Sequence, residues 1–190
     1  MAGEQPLRVL VPLAPLFEEL EFVAIVDVLR RAEVDVVVAG LPAGRGPIEG
    51  SHGILIHPDC DFDEVDLARV TAVVLPGGPG TRAMGCDPRL LELIRRLDQE
   101  ERPLAALCAA PLVLASAGVL EGREATSHPS ARGELAGAHV LADARVVKSG
   151  RVITSQGAGT AVEFALALVE AWVSPRKAEE IGRAIVHTGP

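Results

Sequence analysis

The sequence predicts an α/β sandwich with a mostly parallel central sheet, and three observations carry that prediction. Short apolar runs bounded by proline or glycine alternate with stretches whose apolar residues recur at helical spacing. A strand, a helix and a second strand follow one another within residues 7–40, and such a crossover is what parallel neighbours require. No repeat, low-complexity tract or linker divides the 190 residues, so 1–190 is expected to form one domain.

LRVLVPL at 7–13 is short, partly β-branched and bounded by prolines, as a strand covered on both faces would be. A helix follows, with Phe22, Ile25, Val26 and Leu29 on one face and Arg30 and Arg31 in the last turn, where the macrodipole favours cations. VDVVVAG at 34–40 is the second strand. Pro42, Gly44, Gly46, Pro47, Gly50 and Gly53 then break any helix, and small antiparallel strands and loops are expected over 41–69. The wound pattern resumes with VTAVVLP at 70–76, the loop GGPGTRAMG, and a helix over 88–101 with Leu90, Leu91, Ile94 and Leu97 on one face. LAALC ends a strand at Cys108, and a helix is expected from Pro111 toward Gly118. An extended EATS, a helical turn in SARGELAG and two strands around RVVKSGRVITS follow, then the amphipathic GAGTAVEFALALVEAWV and a polar terminal helix.

A chain of this length buries about 70% of the surface it would expose unfolded. With 48% hydrophobic but only 3% aromatic residues, its core is built from Ala, Val and Leu, and disorder is excluded. Eighteen basic against 26 acidic residues, with no basic cluster, argue against a nucleic-acid partner. Three cysteines without a C-x-x-C pair fit a reducing compartment, and no secretory segment is visible at the start, so a cytoplasmic location is expected. Residues 103–120 are uncharged over eighteen positions, but Pro111, Ser116 and Gly118 favour a buried strand, turn and helix over a membrane span, so no membrane partner is expected.

In open parallel sheets ligands sit beyond the carboxyl ends of the strands, which directs attention to three strand ends. Cys108 stands where an apolar strand stops and a helix begins. Unpaired N–H groups there favour a thiolate, although a buried cysteine closing a core strand is the alternative. Gly77 and Gly78 allow backbone N–H groups to approach a ligand oxygen, as in half of an oxyanion hole, or simply serve a turn. GAGT at 157–160 admits the plainer reading of close helix-to-strand packing. His128 ends a strand-like segment on the same rim as Cys108. Glu18, Glu19 and Glu21 lie at the start of the first helix, and periodicity does not choose between them. No His or Cys spacing marks a metal site, so neither metal nor cofactor is expected.

FEELEFVAIVDVLRRA, VDVVVAGL, VVLPGG, AALCAAP, TSHP and TSQGAGTAVEFALALVEA stand in an order and spacing that resembles the ThiJ/PfpI superfamily, and most closely the branch of the parkinsonism-associated deglycase and bacterial YajL. The resemblance spans nearly the whole chain and implies a flavodoxin-like three-layer sandwich and a homodimer. It implies Cys108 as nucleophile, Glu21 as the acid bonded to it, His128 as the nearby imidazole, and the N–H groups of Gly78 and Ala109 as oxyanion donors beside Gly77. Two departures matter. Peptidase-like members carry His directly after the nucleophile where this chain has Ala109, and the branch carries Arg where this chain has Gln156, with His52 near another expected arginine.

The activity implied is a cofactor-independent glyoxalase or deglycase acting on small reactive aldehydes or glycated substrates through a hemithioacetal on Cys108. The rivals are a redox sensor or chaperone using oxidation of Cys108, a cysteine peptidase and an inactive scaffold. Cys60 and Cys86, away from the elbow, are expected to take no part.

Overall fold

A computed structural model describes residues 6–41 and 46–187. The chain runs through β1 (Arg8–Leu13), α1 (Glu19–Arg31), β2 (Asp35–Gly40), the hairpin β3 (Ile48–Glu49) and β4 (Leu55–Ile56), and β5 (Cys60–Asp61). β6 (Ala72–Leu75), α2 (Thr81–Cys86), α3 (Pro88–Gln99), β7 (Leu104–Leu107) and α4 (Pro111–Ser116) follow. β8 (Glu124–Ala125), β9 (His139–Val140), β10 (Val146–Ser149), β11 (Val152–Ser155), α5 (Ala161–Trp172) and α6 (Pro175–Ala184) complete it. Seven strands form the central sheet in the order β10-β11-β7-β6-β1-β2-β5, all parallel except the β10–β11 pair.

The three layers follow from the two-residue period of the strands. Val9, Val11 and Leu13 of β1 face one core with Phe22, Ile25 and Leu29 of α1 and Phe164 and Leu168 of α5. Leu10 faces the other, with Leu90, Leu93, Ile94 and Leu97 of α3 and Val113 and Leu114 of α4. Both faces being covered, the strands read as nearly continuous apolar runs. Asp87 and Ser174 cap α3 and α6, each followed by a proline whose missing N–H is no loss at the first helical position.

Several local expectations change. The glycine loop after β6 includes the short helix α2, held by buried Met84 and by Thr81, whose hydroxyl donates to the Gly78 carbonyl at 2.7 Å. Its glycine-rich flank masked a pattern only one residue wide. Leu93 rather than Leu91 lies in the α3 core, since Leu91 is only partly covered. The antiparallel hairpin expected within 41–69 is present, but Cys60–Asp61 also joins β2 as a parallel edge strand too short for periodicity to register. Pro42 and Gly44 lie outside the described residues. The apolar stretch 103–120 divides into β7, a turn and α4, and among the described residues no helix is long and apolar enough to cross a membrane.

Candidate active site

The carboxyl ends of β1, β6, β7 and β11 converge on one rim, where the chain turns sharply after each strand. Cys108 sits on the turn after β7 with φ 64°, a left-handed conformation that costs a non-glycine residue about 1–3 kcal/mol. Its neighbours impose it: the Cys108 N–H donates to the Ser155 carbonyl at 3.0 Å, and the Cys108 carbonyl accepts from the His128 N–H at 2.8 Å. The strained turn lifts the sulfur out of the sheet onto the rim, where it is half-buried.

Glu21 enters from the first turn of α1 and is fully buried. Glu18 precedes the helix as its cap, its Oε2 accepting the Glu21 N–H at 2.7 Å, while the Glu18 N–H donates to the Gly77 carbonyl at 3.0 Å. The Gly77 N–H donates to Glu21 Oε2 at 2.8 Å, so this amide orients the acid. Oε1 is left without a protein donor among the described residues, and the carboxyl bonds the Cys108 thiol. A Cβ on Gly77 would lie 2.6 Å from both Cys108 Cβ and Glu21 Oε2, which explains the glycine. Gly78, at φ 96°, needs its conformational freedom to pass Leu16 and Glu18.

Burial pushes Glu21 up to about 7, against the pull of hydrogen bonds from Cys108 and Gly77. Burial first, and then the adjacent Glu21 carboxylate, push the Cys108 thiol up to about 12, while the N–H groups of Gly78 and Ala109 pull it down. Local position favours a thiolate through the helix start, and the resemblance adds Glu21 as a bonded acid. The observed α4 spans only six residues and the sulfur lies beside an acid, so the two groups titrate as a pair.

Gly157 forms the floor between the three expected groups. A Cβ there would lie 3.6 Å from His128 Cδ2, 3.9 Å from Cys108 Sγ and 4.0 Å from Glu21 Oε1. Sequence reasoning had left this glycine to packing; its place at the end of β11 was the available signal. Ser130 was also missed: its Oγ lies 2.8 Å from His128 Nδ1 and its N–H donates to that nitrogen at 3.3 Å, which orients the exposed ring.

Three other singled-out residues take structural work. The Gln156 side-chain amide donates to the carbonyls of Ala142 and Ala144, both at 2.9 Å, and so braces the loop before β10. His52 turns to Glu19, with its N–H and Nδ1 at 2.6 and 2.8 Å from the two carboxylate oxygens. Burial alone would raise Glu19, but these bonds bring it to about 2 and raise His52 in turn. Glu18, Glu19 and His52 place potential metal-ligand atoms within 4.8 Å of one another, yet these contacts account for the cluster as a helix cap and a hairpin anchor. Cys60 and Cys86 stand apart, on the β5 edge and at the end of α2.

Protein dj-1beta of Drosophila melanogaster is 41% identical over 179 residues, covering 93% of this chain and 95% of that protein. Its crystal structure superposes with a TM-score of 0.91 at 40% identity, over 97% of this chain and 100% of that one. A Caenorhabditis elegans protein named glutathione-independent glyoxalase DJR-1.2 is 33% identical, covering 95% of this chain and 96% of its own. A Pyrococcus abyssi protein named a deglycase is 34% identical, covering 80% and 92%. With the flavodoxin-like sheet described above and a family profile matched across residues 7–171, the chain belongs to the DJ-1/PfpI family.

Proposed function

We propose that this chain is a cofactor-independent, cysteine-dependent glyoxalase acting on methylglyoxal, glyoxal and early glycation adducts through a hemithioacetal on Cys108. The observation that carries this reading is the pairing of a buried acid with the sulfur: the Glu21 carboxyl bonds the Cys108 thiol, its Oε1 is free of any other group among the described residues, and Gly78 and Ala109 N–H groups serve the sulfur. A sulfur anion has two amide donors, and Oε1 has none except the shared proton. In the reacting form of the pair the charge is on sulfur and the proton on Glu21, the arrangement these donors favour.

Attack forms the S–C bond at the aldehyde carbon, and the carbonyl electron pair moves to oxygen, which takes the Glu21 proton. Gly78 and Ala109 N–H groups stabilise the oxygen as its charge develops. Glu21, now a carboxylate, removes hydrogen from that carbon and returns it to the adjacent one. The Ser130 N–H donates to Nδ1, so the ring N–H is on Nε2; His128 donates it to the second oxygen during this transfer and recovers a proton from the first carbon's hydroxyl as that becomes the thioester carbonyl. Water then cleaves the resulting thioester and regenerates the thiolate. One methylglyoxal and one water give one lactate, one carbon being oxidised as its neighbour is reduced, and glyoxal gives glycolate likewise. The same first addition to a glycation adduct gives deglycase activity.

The names of the worm and archaeal relatives support the substrate class. Lactate formation from methylglyoxal without added glutathione or metal, lost in Cys108→Ser, is the expected result; equal activity in the variant would overturn the reading. A second reading, oxidation of Cys108 to a sulfinate, is supported by the same N–H donors, which suit its oxygens. We further propose a homodimer, because Leu16, Leu20 and Val23 on and before α1 lie exposed together with Ile54 and Leu55 of the hairpin, which is docked to the start of α1 by Leu16 N–H to Glu49 and Ser51 N–H to Phe17.

A further inference from the structure

A groove of about 680 Å³ lies between α2 and α4, and its lining includes Gly78 and Ala109, whose N–H groups reach the Cys108 sulfur. It therefore borders the reaction centre, and Ser130, the partner of His128, also lines it. Pockets of about 300–1,000 Å³ hold drug-sized ligands, so this one exceeds what a three-carbon oxoaldehyde fills. Leu112 gives the groove an apolar surface, Arg82 stands on the α2 wall, and Glu134 lies in the segment before β9. Arg82 is exposed, and its guanidinium has no ion-pair or hydrogen-bond partner among the described residues. Elsewhere on this acidic chain, Arg89 is engaged by Asp63 and Asp87, Arg123 by Asp98 and Arg145 by Glu163.

We propose that this groove receives the part of the substrate beyond its reacting carbonyls, and that Arg82 binds a carboxylate there as a specificity-determining residue. The inference rests on the aldehyde reading above. An extended substrate lays its methylenes along Leu112, its anionic end is drawn to Arg82, and Glu134 repels that end from the other wall. The preferred substrates are thus oxoaldehydes or glycation adducts that carry a carboxylate a few bonds from the reacting carbon.

Arg82 supports no other residue, so its replacement leaves the fold intact, and the test uses whole protein. Three aldehydes are compared: methylglyoxal, 4,5-dioxopentanoate, and the uncharged 4,5-dioxopentanamide. In Arg82→Gln the ratio of kcat/KM for 4,5-dioxopentanoate over methylglyoxal is expected to fall about tenfold through KM, with the amide-over-methylglyoxal ratio unchanged and Arg82→Lys restoring part of the loss. Unchanged ratios, or equal falls for acid and amide, overturn the proposal. A readout independent of turnover is protection of Cys108 from iodoacetamide by 4-oxopentanoate, expected in wild type and weakened in Arg82→Gln. Should wild type leave methylglyoxal unconsumed, the aldehyde reading has failed and protection alone decides the groove: protection that depends on Arg82 sustains an anion-binding groove, and equal or absent protection removes it.

Discussion

The Glu21 carboxyl pairs with the Cys108 thiol while the Gly77 N–H holds its Oε2 at 2.8 Å, leaving Oε1 with no protein donor among the described residues. The acid is thereby oriented and its proton has one destination. Replacing Glu21 by Gln keeps the shape but removes the transferable proton and the negative charge that holds the thiol up. Turnover is expected to fall by about 10²–10⁴-fold, while iodoacetamide labelling of Cys108 persists at neutral pH. Loss of labelling together with turnover would assign Glu21 to folding instead.

Stability should carry the signature of the same acid. Glu21 moves from an ordinary 4.5 to about 7, so the folded state holds this proton more tightly than the unfolded chain. Its contribution is complete below about pH 4.5 and is lost as the pH rises through about 7, a change of about 3 kcal/mol. Denaturant unfolding of wild type and Glu21→Gln at pH 4.5 and pH 8 checks this: the wild type should lose that much more than the variant between the two.

Gly157 gives a third prediction. A methyl group there meets His128, Cys108 and Glu21 at ordinary contact distances of 3.6–4.0 Å, so Gly157→Ala fills the space a substrate must occupy without forcing the walls apart. Turnover is expected to fall at least tenfold, with unfolding free energy changed by less than about 1 kcal/mol. Steady-state kinetics and denaturant melts on one preparation separate the two effects.

Leu20 is 68% exposed on the face of α1 that includes Val23. Leu20→Lys is expected to shift sedimentation from dimer toward monomer. Unchanged sedimentation of a wild-type dimer would place the interface elsewhere.

The fold was legible because covered strands and amphipathic helices leave different periods: Val9, Val11 and Leu13 alternate with Leu10, and Phe22, Ile25 and Leu29 recur by turns. Short elements were not, since β5 and β9 have two residues each and α2 is anchored by Met84 amid glycine. Within the site, the positions of Cys108, Gly78 and His128 at strand ends were readable. Periodicity left Glu18, Glu19 and Glu21 equivalent and the family resemblance selected Glu21; tertiary packing supplies the physical reason, since Glu18 caps α1, Glu19 holds the hairpin through His52, and Glu21 pairs with the sulfur. The Cys108 thiol misled a local argument, because a neighbouring carboxylate 87 positions away in the chain opposes what a helix start favours.

Rapid-quench intact-mass analysis during methylglyoxal turnover tests the central claim, that chemistry passes through a covalent adduct on Cys108. Wild type should show a transient species heavier by one methylglyoxal, mapped to Cys108 by peptide digestion and decaying as lactate appears. Lactate formed at full rate with no such species, or with the adduct confined to Cys60 or Cys86, would contradict the account.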